Sequence, residues 1–126
     1  MNKILVEVSV GELLDKISIL EIKQEKIKDP AKLKYINEEH SILREQLNSN
    51  VKSDQKLTEL FETLKQINQK LWVIEDDKRQ CEKDKDFTDT FIKLSRDIHF
   101  LNDDRAKIKL EINNYTGSKI KEIKEY

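Results

Sequence analysis

Residues that interrupt or cross-link a chain are scarce in this sequence. Its 126 residues include two glycines, one proline and one cysteine. A single cysteine excludes an internal disulfide and fits a reducing compartment. No apolar run approaches the roughly 18 residues of a membrane-spanning helix, and the N-terminal MNKILVEVSV lacks the long apolar region and cleavage site of a signal peptide. We therefore expect a cytoplasmic protein with no membrane contact.

Charge of one sign is lacking as well. The 24 basic and 25 acidic residues are mixed along the chain and leave a net charge of −1. A surface that binds nucleic acid normally presents a basic patch, and none is visible in this sequence. Nucleic acid is therefore disfavoured as a partner. Arginine is rare, and its planar guanidinium makes paired hydrogen bonds that lysine cannot make, so each arginine is of interest: Arg44, Arg79, Arg96 and Arg105.

The apolar residues, in contrast, are regularly spaced. They recur at intervals of three and four residues, which is typical of amphipathic helices in contact. The pairs Ser9–Glu12 and Asp29–Pro30 are typical of helix starts, and Gly117 of a helix end. The pattern predicts an all-α fold, an elongated antiparallel helical hairpin or coiled-coil-like bundle of four helices in one domain. The predicted segments are an extended arm or strand at 3–8, helices at 10–28, 30–48, 54–82 and 87–115, and a tail at 117–126.

One charged residue occupies an apolar position of the fourth predicted helix. Arg105 lies between Leu101 and Ile108 in the heptad pattern. Antiparallel pairing about the predicted turns puts Arg105 in one cross-section with Glu21 and His40, and Asn68 and Asn102 are predicted nearby. Three interpretations stay open. Arg105 pairs with Glu21 and the layer sets the register, or the layer binds an anion such as phosphate or carboxylate, or Arg105 extends to solvent.

A second polar group comes from the sequence WVIEDDKRQ in the third helix. Glu75 and Arg79 are four residues apart, in the order that favours a surface ion pair, and Asp76 adds a carboxylate. Arg96 lies outside the main apolar stripe of the fourth helix. It belongs to a separate stripe that meets helix 1, a second subunit or a ligand, and the members of that stripe are Ile92, Arg96, His99 and Asp103.

Sequence motifs of catalysis are missing. The chain contains no HExxH, no glycine-rich phosphate loop and no CxxC. Its only histidines and cysteine, His40, His99 and Cys81, do not form a recognisable metal-ligand set. We therefore expect no metal and no cofactor, and whether the protein is an enzyme stays open.

Several stretches together resemble one protein family. They are VEVSVGELLDKISILEIK at 6–23, LWVIEDDKRQCE at 71–82, FIKLSRDIHFLNDDRAKIKLEIN at 91–113 and GSKIKEIKEY at 117–126. They resemble a small uncharacterised bacterial and phage helical domain of unknown function, sometimes found beside tetratricopeptide-repeat or glycosyltransferase-related proteins. His99 stands where the family favours tyrosine, and the tail departs from the family's acidic pair. The resemblance implies no activity, but it implies that the polar residues serve a shared ligand or partner site on helices 1, 3 and 4.

The favoured function is a non-enzymatic helical binding or adaptor domain that self-associates. The aromatic residues Phe61, Trp72 and Phe100 and the unpaired segment KILVEV favour a homo-oligomer or a protein partner, and the polar Arg/Glu layer favours an anionic small molecule. The alternative is a small enzyme or sensor for a phosphorylated metabolite, a nucleotide or sugar nucleotide, with Mg²⁺ required only in that case. The candidate ligand-binding residues are Glu21, Lys23, Glu75, Asp76, Arg79, Arg96, Asn102, Asp103, Arg105 and Lys109.

Overall fold

The part of the chain that the structure describes is all-α, as predicted, with four helices. The computed structural model describes residues 3–118 and 123–124, and its helices are α1 (Val10–Lys26), α2 (Pro30–Asn50), α3 (Gln55–Asp84) and α4 (Asp89–Thr116). The described residues contain no strand, and 3–8 have no regular structure, so the extended arm rather than the strand is correct. The helix bounds differ from the predicted ones by at most two residues. Of the predicted tail, 119–122 and 125–126 lie outside the described residues.

Helix ends follow local side-chain chemistry. The hydroxyl of Ser9 accepts a hydrogen bond from the backbone N–H of Glu12 at 3.0 Å, and Asp54 accepts one from Leu57 at 2.8 Å. These bonds satisfy donors that the first turn of a helix leaves without an internal partner. Gly117 ends α4 with φ of 67°, a left-handed conformation that glycine adopts without steric cost. The signals at Ser9 and Gly117 are therefore used as predicted, whereas the cap at Asp54 was not predicted.

The hairpin of α3 and α4 is the longest unit of the fold. With 30 and 28 residues, the two helices are about 45 and 42 Å long at 1.5 Å per residue. The ammonium of Lys78 lies 5.3 Å from the centre of the Phe91 ring, and the Tyr115 hydroxyl donates to Asp54. Both contacts are symmetrical about a turn at residues 84–85, which lies between the helices predicted at 54–82 and 87–115.

Helix α1 occupies the centre of the structure. It packs against α2 and also against α3 and α4. The contact of Glu21 with His40 and that of Gln24 with Asn37 show that α2 runs antiparallel to α1. The core lies where the first half of α1 meets the other helices, and its buried members are Leu14, Ile17, Leu47, Leu57, Leu60, Leu64 and Ile112.

Burial on two faces distinguishes α1 from an ordinary amphipathic helix. The predicted inward positions included Leu14, Ile17 and Leu20, and these are buried. A second row is equally buried although it is mostly small or polar, namely Gly11, Asp15, Ser18 and Ile22. This row brings α1 against α3 and α4, and it carries the polar cluster described next.

Candidate functional site

A buried carboxylate connects α1 to α4. Asp15 is 2% exposed, and its two oxygens accept hydrogen bonds from Nε and Nη2 of Arg105 at 2.9 and 2.5 Å. Such a paired arrangement of one guanidinium and one carboxylate is both stronger and more directional than a single ionic contact. Arg105 is half-buried, and its guanidinium is shielded from water mainly on the side that faces Asp15. The arginine on the apolar stripe of α4 therefore has a carboxylate as its partner.

Helix α3 completes the hydrogen bonding of this cluster. The amide nitrogen of Asn68 donates to Asp15 Oδ1 at 2.9 Å and to Ser18 Oγ at 2.8 Å. The Ser18 hydroxyl in turn donates to the backbone carbonyl of Asp15 at 2.8 Å. No buried side-chain nitrogen or oxygen among the described residues lacks a hydrogen-bond partner. A buried polar cluster with every group satisfied is a rigid connection between helices.

Asp15 is held in its ionised form. Burial alone raises the pKa of Asp15, but hydrogen bonds from Arg105 and Asn68 and the charges of Arg105 and Lys109 outweigh burial, so the pKa lies below the usual value of an aspartate. The ammonium of Lys109 lies 3.9 Å from Asp15 Oδ2 and 2.7 Å from Glu12 Oε2. Two cations of α4 thus face two carboxylates of α1, which favours one pairing of the helices.

The N-terminus of α1 contacts α4 at close range. The backbone N–H of Gly11 donates to Asn113 Oδ1 at 2.7 Å, and the N–H of Val10 donates to the Ser118 hydroxyl at 3.3 Å. A Cβ at position 11 would lie 2.5 Å from the carbonyl oxygen of Lys109. Glycine at this position is therefore a packing requirement, because it lets two helix backbones approach each other.

The predicted pairing of Arg105 with Glu21 is wrong. Glu21 instead accepts from Lys65 at 3.2 Å and lies 3.1 Å from His40 Nε2, so it belongs to a second polar cluster between α1, α2 and α3. Six residues separate Glu21 from Asp15, which is about 9 Å along α1 and a different face of the helix. The two residues therefore cannot lie in the same cross-section of the bundle. The single polar layer predicted around His40 is instead two clusters, one around Asp15 and one around Glu21.

A groove between α1 and α3 brings together the polar residues of WVIEDDKRQ. Its volume is about 310 Å³, and its lining residues are Ile19, Ile22, Asn68, Trp72, Glu75, Asp76 and Arg79. The predicted ion pair of Glu75 with Arg79 is not formed. Both side chains are exposed on α3, and an ion pair in water gains too little energy to hold two flexible side chains together.

The separate stripe of α4 faces solvent. Arg96 lies over the Phe100 ring, 5.6 Å from its centre, and His99 packs against the edge of the same ring. The Nε2 atom of His99 is 3.9 Å from a carboxylate oxygen of Asp103. Of the three partners predicted for this stripe, helix 1 does not cover Ile92, which remains about half exposed, and the neighbouring Phe100 is exposed to the same degree.

The remaining predicted site residues lie in different surroundings. Asn102 lines a cleft of about 200 Å³ that also includes Arg105 and Lys109, and Asp103 lines an adjoining one. The side chain of Lys23 makes no hydrogen bond or ion pair with the part of the chain that the structure describes. The candidate residues therefore form no single site.

The three arginines among the candidate ligand-binding residues, Arg79, Arg96 and Arg105, do not converge on one point. Arg96 and Arg105 are nine residues apart on α4, which is about 13 Å along the axis and half a turn around it. Arg79 lines the groove of α1 and α3 instead. Among the described residues no group of three or more His, Cys, Asp or Glu side chains could hold a metal ion. No described helix has the length and apolar character needed to cross a membrane.

Sequence reasoning missed Asp15, the centre of the buried cluster. Asp15 follows Gly11 by four residues and precedes Ser18 and Ile22 by three and seven, which is the heptad spacing of a second contact face. The signal was present, but the row consists mainly of small and polar residues, and hydrophobic periodicity alone does not detect such a row.

The fold and cluster define a helical protein in which a central helix is joined to a long hairpin by a buried ion pair. The profile of a family of unknown function, DUF6165, matches residues 4–126. The chain belongs to this family, which confirms the resemblance to a domain of unknown function. The search of curated proteins found no match, and the search of solved structures found none.

Proposed function

We propose that the chain is a non-enzymatic helical binding module that associates with a second copy of itself through α4. The observation that carries this proposal is the exposure of large apolar side chains on one face of α4. Ile92 is 53% exposed and Phe100 is 52% exposed. Exposed apolar side chains that share one helix face are typical of surfaces that bind another protein.

The position of this face explains why the chain leaves it uncovered. Helix α1 has 17 residues and α4 has 28. The polar contacts of α1 with α4 described above begin at Arg105 and continue toward Gly117. No hydrogen bond or ion pair among the described residues joins α1 to the part of α4 that precedes Arg105, so the face of that part turned away from α3 is open to a partner.

The charges on this face are self-complementary. Arg96 and Asp103 lie at equal distances on either side of a point between His99 and Phe100. If two α4 helices cross antiparallel about a two-fold axis at this point, Arg96 faces Asp103 of the partner subunit, and Phe100 faces His99 of the partner subunit. A two-fold interface repeats each such contact, so one favourable pair counts twice.

The expected association is weak. One helix pair buries less than the roughly 1,200–2,000 Å² of a standard interface, and exposed ion pairs contribute less than about 1 kcal/mol each. We therefore expect a dissociation constant of the order of micromolar or weaker. The buried Asp15–Arg105 pair supports a binding module rather than an enzyme, because its groups satisfy one another and join two helices.

Sedimentation equilibrium of the purified chain tests this proposal. Arg96→Asp and Asp103→Arg should each weaken the dimer, because each places like charges opposite one another, and the double variant should restore it. Arg44→Asp makes the same charge change on an exposed residue of α2 and should leave the dimer intact. A strict monomer at high concentration, or a double variant no better than either single one, would overturn the proposal.

A further inference from the structure

We infer that the groove between α1 and α3 binds a small zwitterion with an apolar side chain, the chemical class of an α-amino acid. The groove lies on other helix faces than the self-association surface of α4, so this inference does not depend on the proposed function. It rests on the shape of the groove, on its apolar floor and on three charged side chains that are not engaged with one another.

The size and floor of the groove fit a ligand of this class. Its volume of about 310 Å³ lies at the lower end of the range for small-molecule sites. Ile22 is almost fully buried and Ile19 is half-buried, and both belong to α1. The half-buried indole of Trp72 comes from α3. The exposed parts of Ile19 and Trp72, above the buried Ile22, thus provide an apolar surface for one ligand side chain.

The rim of the groove carries both signs of charge. Glu75, Asp76 and Arg79 are exposed, and no hydrogen bond or ion pair joins any of their side chains to another of the described residues. Glu75 and Arg79 are one helical turn apart, with Cβ atoms about 6 Å from each other. A ligand that carries an ammonium and a carboxylate on the same carbon atom can therefore contact both rim charges at once.

Charge complementarity selects the zwitterion over simpler ligands. An anion alone would be repelled by Glu75 and Asp76, and a cation alone would leave the guanidinium of Arg79 without a partner in the ligand. A ligand carrying both charges directs its ammonium to the two carboxylates and its carboxylate to the guanidinium fork of Arg79, which is suited to paired hydrogen bonds. Its apolar side chain then covers Trp72 and Ile19.

The single tryptophan of the chain makes binding measurable in the native protein. Trp72 is the only tryptophan, so a change in tryptophan fluorescence reports on this groove. The experiment titrates the full chain with phenylalanine, with phenylalaninamide, which lacks the carboxylate, and with 3-phenylpropionate, which lacks the ammonium. We expect saturable binding of phenylalanine and about tenfold weaker binding of each analogue, since each loses one charged hydrogen-bonding partner.

Variants of the rim assign each charge to its partner. Arg79→Gln should abolish the difference between phenylalanine and phenylalaninamide but keep the difference between phenylalanine and 3-phenylpropionate. The double variant Glu75→Gln/Asp76→Asn should do the reverse. Arg44→Gln, on an exposed face of α2, is the matched control and should bind all three probes as the unmodified chain does.

The same titrations contain the results that would overturn the inference. Equal affinity for the three probes would mean that the rim charges do not recognise the ligand, and no saturable change with any probe would mean that the groove does not bind this class. Thermal unfolding of each variant keeps the comparison valid. Exposed charges on a helix contribute little to stability, so midpoints within a few degrees of the unmodified chain are expected.

Discussion

Arg105 and Asp15, ninety residues apart in the chain, form two hydrogen bonds between one guanidinium and one carboxylate and thereby join α4 to α1. The carboxylate is buried and also bonded to Asn68 of α3, so three helices meet at one charged group. Burial makes this contact important for stability, because a buried charge that loses its partner has no water to replace it.

Removal of Arg105 should therefore destabilise the fold strongly. We expect Arg105→Ala to lower the free energy of unfolding by about 3 kcal/mol, since it leaves the ionised Asp15 buried with weaker partners. Urea denaturation followed by circular dichroism measures the loss. Arg44→Ala removes an exposed arginine and should change the free energy by less than about 0.5 kcal/mol.

A double-mutant cycle separates the ion pair from its surroundings. The double variant Asp15→Ala/Arg105→Ala should lose less stability than the two single variants together, because it no longer contains an unpaired buried charge. If the effects of the two single variants add up to the effect of the double variant within about 0.5 kcal/mol, this result would contradict a direct coupling of the two residues.

Stability should fall in acid because the pKa of Asp15 is lower in the folded chain than in the unfolded chain. As the pH drops below about 4, the unfolded chain binds a proton at this position before the folded chain does, and the equilibrium shifts toward unfolding. The stabilisation by the ionised Asp15 is complete above the pKa of this residue in the unfolded chain. It is lost as the pH falls through the pKa of Asp15 in the folded chain. Denaturation curves at neutral and acid pH should show it.

The reference for this acid effect is Asp15→Asn. Asp54 and Asp86 also have lowered pKa values, because hydrogen bonds from Tyr115 and Thr88 favour their ionised forms. Only the part of the acid effect that Asp15→Asn abolishes belongs to Asp15. An identical pH dependence in the two proteins would contradict the assignment.

A single methyl group at position 11 should separate α1 from α4. In an ordinary helix, glycine to alanine is stabilising by roughly 0.5–1 kcal/mol. Here the new Cβ would lie 2.5 Å from the Lys109 carbonyl oxygen and 2.9 Å from Asn113 Oδ1, so we expect Gly11→Ala to be destabilising by about 1–3 kcal/mol. The midpoint of thermal unfolding measures the change.

Gly117→Ala is the matched control, with a different physical cause. No atom lies within 4 Å of a Cβ at this position, but φ is +67°, and the left-handed conformation costs alanine about 1–2 kcal/mol. In a chain that already carries Asn113→Ala, Gly11→Ala should be less destabilising, because its close contact with Asn113 Oδ1 is gone. The effect of Gly117→Ala should be the same with and without Asn113→Ala. A stabilising Gly11→Ala would contradict the close approach of the helices.

Cys81 should react slowly with thiol reagents in the folded chain. The thiol is buried near the α3–α4 turn, and burial together with the negative charges of Asp86, Asp84 and Asp77 raises its pKa. Less thiolate and less access both slow the reaction. We expect alkylation at neutral pH to be at least about tenfold slower than in urea. Equal rates in the two conditions would mean that the turn end of the hairpin opens freely.

Much of the fold was predictable because it depends on local interactions. Ser9 and Asp29 marked helix starts through side-chain capping, and Gly117 marked a helix end through its backbone freedom. The heptad positions of α3 and α4 and the turn near Lys85 determined the register of the hairpin. These signals act over a few residues, so sequence spacing is sufficient to detect them.

The candidate site was less predictable because its partners come from different helices. Arg105 was recognisable as an unusual residue, but its partner was expected to be Glu21 and is Asp15. The row of Gly11, Asp15 and Ser18 has little hydrophobic character, so its burial becomes evident only when α1 lies between α2 and the hairpin. The gathering of Trp72, Glu75 and Arg79 beside Ile19 likewise depends on how α1 crosses α3.

The sequence by itself determined that the described part of this chain forms four helices, where they begin and end to within two residues, and most of the positions of α2, α3 and α4 that face inward. Only the tertiary structure decided which charges meet. Helix periodicity is a property of each segment, whereas the pairing of Asp15 with Arg105 requires a specific axial shift and rotation of α1 against α4, to which each packed side chain contributes. An error of one turn in that shift moves a residue by about 5.4 Å, which is enough to exchange one carboxylate for another.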